Sequence, residues 1–400
     1  MDRERTLLQT RTGRSVAGAT VLLVLVTVAG LVALWPGSSS DDGVELGLKD
    51  AVRAAVVSVT PGSCEAYAGP GCRVVAIDVL EGRDEGRRSS LILQANRFSP
   101  EVAPGDELRV VRSAAPDVAV DQPATQPYGF VDFERRTPLA ALALAFAVLV
   151  VALARWQGVR ALVGLVASLA LVVFFVAPAI LDGRPPLLVA LVGSLAVMAV
   201  TMSLTHGPGL KSQTAMLGTA LSLFLIALLG VLAVDAAQIT GLSEEGRSLL
   251  QLGGPPLSLQ GLLLAGLVIG ALGVLDDVTI SQASTVMALR RVNPGLEFRR
   301  LFNEALSVGR DHLGATVNTL VLAYAGASLT SLLAFSDQGV GFGTAVNYEV
   351  VASQVVAMLV GSVGSIGLIA AVPITTALAA ALAVRLPAET VPDAPHAHAH

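Results

Sequence analysis

Hydrophobic residues in this chain gather into long, nearly unbroken runs. The first, Val16 to Trp35, follows a tail bearing Arg3, Arg5, Arg11 and Arg14. Further runs occupy roughly 138–154, 158–181, 186–205, 214–236, 257–276, 313–335 and 351–384. A helix of about 20 apolar residues crosses the hydrocarbon core of a bilayer, so each run predicts a transmembrane helix. The last is long enough to bend, and Pro373 marks the expected place. The first ends in Leu34-Trp35-Pro36 with no small-residue cleavage site, which reads as a retained signal anchor.

One region departs from this pattern. Val52–Val59, Arg73–Leu80, Ser90–Ala95 and Glu107–Arg112 are short runs with β-branched residues, bounded by Pro, Gly and Asp. They predict a small all-β domain over 41–112, barrel-like and akin to an oligonucleotide/oligosaccharide-binding (OB) fold. A Pro-, Ala- and Asp-rich stretch begins at residue 113, and 113–137 reads as linker and juxtamembrane segment. The expected fold is therefore an α-helical polytopic membrane protein of about eight helices. A small extracytoplasmic β domain sits between helices 1 and 2. A basic tail over 1–15, an anchor over 16–35, a seven-helix membrane domain over 138–384 and a tail over 385–400 complete the organisation.

Composition agrees with the pattern. The chain is 53% hydrophobic and 14% charged, against roughly 25% charged in soluble domains. Between residues 36 and 137 there are 16 acids and 11 bases, so that stretch carries the whole formal charge of −5. An acidic soluble part argues against a nucleic-acid partner. Loop charge sets orientation. Arg155, Arg160, Lys211, Arg290, Arg291, Arg299, Arg300, Arg310 and Arg385 fall in loops and tails assigned to the inside, while the short outer loops carry Arg184 and Arg247. That asymmetry predicts cytoplasmic termini and an extracytoplasmic β domain in a plasma membrane. Cys64 and Cys72 flank Gly69-Pro70-Gly71 in that domain; they either close a small disulfide loop, as an oxidising compartment permits, or remain thiols.

Two surface helices are also expected. Ser243 begins a short outer one, and Pro294–Arg310 is amphipathic, with Leu296, Phe298, Leu301, Phe302, Ala305 and Leu306 on its apolar side.

Candidate chemistry centres on Asp276 and Asp277, at the end of an apolar run. Carboxylates beside a membrane span usually have a partner or a task. Gly266, Gly270, Gly273, Asp277, Ser281 and Ser284 recur at steps of three or four, hence on one helix face. Asp311, Gly314, Ala315, Asn318 and Thr319 share a face of the next span, beside His312. If the two faces meet, acids, an imidazole, an amide and hydroxyls converge on a site for a cation, a proton or a solute. Asp277 is then the expected central carboxylate, with Asp276 as its modulator. The competing reading pairs Asp276 and Asp277 with Arg290, Arg291 or Arg310, and makes Asp311 a helix cap. Gly361 and Gly364 in the last span, like the Gly266 stripe, read as helix-packing positions.

These residues also carry a family resemblance. Gly273-Val274-Leu275-Asp276-Asp277-Val278-Thr279-Ile280-Ser281-Gln282, together with Gly309-Arg310-Asp311-His312 and Asn318-Thr319, resembles the signature stretches of the YibE/F-like membrane proteins. Tyr128-Gly129-Phe130-Val131-Asp132-Phe133-Glu134-Arg135-Arg136 is similar to that family's entry to the second span. The resemblance implies a bacterial polytopic membrane protein with an extracytoplasmic N-terminal domain and permease-like character. It selects no substrate.

Signatures of zinc hydrolases, phosphate loops and serine hydrolases are missing, as is the Gly-x-Gly-Asp context of an intramembrane aspartyl protease. An enzyme is thus not the leading expectation, and no cofactor is expected. Expected partners are the lipid bilayer, a small solute or cation, and either an envelope protein or a second copy of the chain. The metal, if any, is left open. The leading expectation is permease-like transport through a carboxylate cluster; the alternative is an envelope binding or assembly protein acting through the β domain.

Overall fold

The computed structural model describes residues 11–37, 50–62, 71–94, 99–112, 128–207, 209–242 and 257–385. The chain divides into two compact units, residues 43–153 and residues 1–42 with 154–400.

The smaller unit holds a five-stranded antiparallel sheet. Its strands are β1 (Val52–Gly62), β2 (Cys72–Val79), β3 (Arg88–Gln94), β4 (Glu107–Arg112) and β5 (Tyr128–Phe133), in the order β3-β2-β1-β4-β5. β1 is long enough to pair with both β2 and β4, and a register shift between Val56 and Ser58 marks an irregularity along it. The edge strands β3 and β5 touch, so the sheet curls into a half-barrel. Val75, Ile77 and Val79 of β2 point inward, joining Ala54, Leu91, Leu108 and Val110 in the core. This is the period-two burial that the β-branched runs predict.

β5 lies within 113–137, the stretch expected as linker and juxtamembrane segment. Five of its residues pair with β4, from Leu108 opposite Phe133 to Arg112 opposite Tyr128, and a register shift leaves Val131 without an opposite residue. Buried Tyr128 and half-buried Phe130 and Phe133 pack on the core. Tyr128, Phe130, Val131 and Phe133 favour a strand, and pairing with β4 fixes it. Tyr128 also donates its hydroxyl to Asp84 Oδ2 at 2.7 Å. Immediately after β5, Glu134 Oε1 accepts the backbone N–H of Arg136 at 2.9 Å, satisfying a free donor where the next helix starts.

The helices are α1 (Arg11–Leu34), α2 (Arg136–Leu171), α3 (Ala177–Leu181), α4 (Pro186–His206), α5 (Leu210–Ala236), α6 (Leu259–Val292), α7 (Phe298–Ala327), α8 (Leu329–Asp337), α9 (Phe342–Ala345) and α10 (Glu349–Arg385). Arg155, at φ 51° and ψ −128°, breaks α2 between two of the expected runs. A π-helical turn, Val172–Val176, joins α2 to α3. Among the described residues, five helical stretches are long and apolar enough to cross a membrane, and α7 with α8 makes a sixth, bent by 56°. The outer short helix expected from Ser243 lies outside the described residues.

In the larger unit α4, α5 and α6 form the centre, with Met198, Met202, Leu223, Ile226 and Leu275 fully buried. Outward faces carry exposed Leu22, Leu25, Phe224 and Leu228, as suits helices whose solvent is lipid. α10 packs on α5, α6 and α7. Its approach to α5 requires Gly218, because a Cβ there would collide with Thr375. The start of α7 was expected at the membrane surface with its apolar side in lipid. Instead Leu301 and Ala305 are buried against Val286, Met287, Ala379 and Ala380, while Arg299 and Arg300 are exposed. The amphipathic pattern was real: Leu301 and Ala305 on its apolar side are covered by protein, Leu296, Phe302 and Leu306 are half-buried, and Phe298 stays exposed.

Arg290 locks this end of the bundle. Only 8% exposed, it donates to the Ala383, Val384 and Leu296 carbonyls at 3.1, 3.3 and 2.8 Å. The first two lie in the last turn of α10, where carbonyls lack intrahelical donors and the helix dipole favours a cation.

Three predictions follow from these contacts. Arg290→Ala leaves three carbonyls without their donor and lowers stability by about 2–4 kcal/mol in detergent-solubilised unfolding, with Arg290→Lys recovering part of the loss. Gly218→Ala destabilises by about 1–3 kcal/mol, and adding Thr375→Ala restores most of it. Asp84 titrates below its usual 3.8, first because Tyr128 donates to it, and also because Arg112 and Arg87 lie near. A carboxylate lowered on folding contributes stability above its unfolded pKa and loses it as pH falls through the folded one. Acid melting of the sheet should therefore be less pH-sensitive in Tyr128→Phe, as followed by near-ultraviolet circular dichroism.

Candidate functional site

α6 starts cleanly at Ser258, whose Oγ accepts from the Gly261 N–H at 3.0 Å, and ends with Arg290 and Arg291 in its last turn. Successive residues turn by about 100°, so its two adjacent acids diverge. Asp277 is exposed and Asp276 is half-buried.

Asp276 faces α4. Its Oδ2 lies 3.5 Å from Thr201 Oγ1. That hydroxyl has one proton, shared between this long bond and a shorter one to the Val197 carbonyl at 2.9 Å. Asp276 Oδ1 is buried and makes no hydrogen bond. The carboxylate is thus nearly uncompensated in an apolar setting, which is costly unless something else satisfies it.

Asp276 lines a cavity of about 280 Å³. α2 supplies Ser168 and Leu169, the π turn Val172 and Val176, α4 Gly193, Ser194, Val197 and Thr201, and α6 Ile269, Leu272 and Gly273. Ser194 is 1% exposed, and its Oγ also lacks a partner. Gly193 lets the π turn sit against α4, since a Cβ would come within 2.6 Å of Val176 Cγ2. Phe175 of that turn is fully buried and packs on Trp35 with ring centroids 5.7 Å apart. π turns inside helices recur at functional sites.

Beneath α6 runs a second set of hydroxyls. Thr279 Oγ1 lies 2.7 Å from Thr219 Oγ1, both fully buried, and Ser222 Oγ donates to the Gly218 carbonyl at 2.8 Å. The Thr219–Thr279 bond joins α5 to α6, the Ser222 bond stays within α5, and Thr375 Oγ1 of α10 is left without a partner.

The expected convergence of two polar stripes is not what the structure brings together. Gly266, Gly270 and Gly273 lie on the exposed side of α6 with Asp277. A Cβ at Gly266 or Gly273 would meet no atom within 4 Å, and at Gly270 only the Tyr324 hydroxyl at 3.8 Å. Asp311, Asn318 and Thr319 are exposed on α7, and Thr319 Oγ1 donates to its own helix at Ala315. Among the described residues no hydrogen bond or ion pair joins Asp277 to Asp311, Asn318 or Thr319; it lies close enough to act electrostatically on Asp276 and His206. Ser281 is half-buried. The His312 side chain and the surroundings of Gly361 and Gly364 lie outside the described residues, as does Cys64, whereas Cys72 is disulfide-bonded. Of the two acids the inward one is Asp276, and Asp277 is exposed. Among the described residues no group of three His, Cys, Asp or Glu side chains is placed to hold a metal ion.

Ser168, Ser194 and Thr201 were not singled out from the sequence. Ser194 and Thr201 are seven residues apart, hence on one helix face. That signal was available, but serine and threonine often bond their own helix backbone, and the spacing alone does not identify a cavity.

Helices of this length and apolarity around a buried carboxylate define an integral membrane protein. The chain matches the YibE/F-like protein family over residues 142–385, more than half its length, and belongs to that family. α1 and the sheet lie outside the matched residues. No curated protein and no solved structure matches the chain.

The arrangement predicts opposite behaviour for the two acids. Asp276→Asn removes an uncompensated charge and raises thermal stability by about 1 kcal/mol, whereas Asp277→Asn changes it by less than about 0.5 kcal/mol. Differential scanning fluorimetry of the purified protein distinguishes this from a stabilising ion pair, for which Asp276→Asn is destabilising.

Proposed function

We propose that the protein is a permease-like membrane protein that moves a small solute or ion past the Asp276 carboxylate. One observation carries the reading: Asp276 Oδ1 and Ser194 Oγ are both buried without partners in the wall of one cavity. Native structures leave few buried polar atoms unsatisfied, and those that remain call for an explanation. In this reading the eight apolar runs are eight crossings, with both termini in the cytoplasm of a bacterial cell. The β domain, read as OB-like from its strand order, stands outside with a Cys64–Cys72 disulfide. Loop arginines support this orientation. The cavity then spans from mid-membrane at Ser194 to the cytoplasmic third at Asp276.

A second reading has one observation of its own. The sheet bears a hollow of about 670 Å³ lined by Glu81, Arg83, Asp84, Arg112 and Tyr128, among others. In that reading the β domain docks an envelope partner and the helices anchor it.

Reconstituted vesicles separate the two. Uptake of a panel of labelled small ions and solutes is measured for the full chain. The permease reading expects uptake of at least one, lost in Asp276→Asn and kept in Asp277→Asn. Absence of uptake for the whole panel, with a phenotype abolished by deleting the sheet, favours the anchor.

A further inference from the structure

The acceptors around Asp276 also specify what the cavity takes. Oδ1 is buried and unpaired, and Oδ2 has only the long 3.5 Å bond from Thr201 Oγ1, a hydroxyl that also reaches the Val197 carbonyl at 2.9 Å. When the Thr201 proton turns to Val197, the two carboxylate oxygens and the threonine oxygen are three acceptors side by side. No basic residue lines the cavity, so the site carries a single negative charge. It suits a monovalent cation that brings several hydrogen-bond donors of its own. A hard metal ion needs six or more oxygen ligands, or retained water, and the remaining unpaired hydroxyl is distant. Ser194 stands seven residues before Thr201, about 10 Å along the helix. Between these ends the walls are apolar, formed by Val172, Val197, Ile269 and Leu272 among others. At about 280 Å³ the space lies just below the range of drug-sized sites.

From the opposed acceptors, the apolar walls and the unpaired Ser194 hydroxyl, we infer that the cavity binds a small primary alkylammonium, its –NH₃⁺ on Asp276 and Thr201 and its chain directed toward Ser194. The inference rests on the permease reading for its biological sense, but binding can be tested without transport. An ammonium group offers three donors to three acceptors. A chain bearing a terminal hydroxyl gains a partner at Ser194.

The test uses the full chain in lipid nanodiscs and titration calorimetry, with n-pentylammonium, its ω-hydroxylated counterpart, the neutral alcohol n-pentanol, and sodium as probes. The expected result is binding of both ammonium compounds, tighter for the hydroxylated one, and weakened roughly 100-fold by Asp276→Asn. Ser194→Ala should abolish the preference for the hydroxylated chain while retaining n-pentylammonium binding. Scanning fluorimetry shows whether each variant is folded, and Asp277→Asn serves as a folded control that keeps full binding. Equal binding of n-pentanol, or ammonium binding unchanged in Asp276→Asn, overturns the inference. So does sodium binding that depends on Asp276 in the absence of any ammonium binding. If uptake of another solute still requires Asp276 while no ammonium binds, this inference fails and the permease reading survives; ammonium binding without any uptake has the reverse meaning.

Discussion

A polar group inside an apolar bundle has no water to fall back on, and that constraint organises the larger unit. Its hydroxyls are mostly turned onto backbone carbonyls one helical turn earlier, as at Thr27, Ser168, Thr205, Thr214 and Ser284. Where that is not done, the bond crosses to another helix, as between Thr219 and Thr279 or from Gln282 to the Ala305 carbonyl at 2.7 Å. Arg290 obeys the same rule at larger scale, spending its guanidinium on helix-end carbonyls. Ser212 Oγ and Thr375 Oγ1 are also buried without partners, but Asp276 Oδ1 and Ser194 Oγ stand out because both line one cavity.

Close packing makes the exceptions possible. Gly193 admits the π turn against α4, and Gly30 brings α1 against Val192, where a Cβ would come within 2.8 Å. Small residues in membrane helices usually serve such approaches. Here the approach also shapes a void, since the π turn moves Val172 and Val176 into its wall while Phe175 is held by Trp35. On α6 the glycine face does the opposite: it is open, and the bulky face with Leu264, Leu267, Val268, Leu272 and Leu275 forms the core. Side-chain burial favoured the larger apolar surface.

The elements were largely legible in the residue pattern. Each long run lies in a helix, and four of the five strands coincide with runs of β-branched residues to within a few positions. β5 escaped although Tyr128, Phe130, Val131 and Phe133 favour a strand, because its position directly before a membrane span reads as a juxtamembrane segment and its partner β4 lies across an intervening stretch of chain. The site was half legible. The Asp276-Asp277 dipeptide was the right place, yet periodicity chose Asp277, since that acid continues the glycine stripe. A stripe reports which residues share a face and says nothing about which face turns inward; that depends on neighbouring helices, whose positions no local pattern encodes.

Length and apolarity, properties of the linear chain, determined that this is a membrane protein, its residues over 142–385 that it belongs to the YibE/F-like family, and runs of β-branched residues that a small β unit lies near its N-terminus. They are sufficient because crossing a bilayer is a matter of consecutive apolar residues. Tertiary structure decided the rest. It turned Asp276 toward Thr201 and Asp277 outward, and placed Ser194 in the same cavity from 82 residues away in sequence. It also left Asp311, Asn318 and Thr319 on an open face. A carboxylate's surroundings are set by the packing angle and rotation of whole helices, and these emerge only when all the faces compete for burial at once.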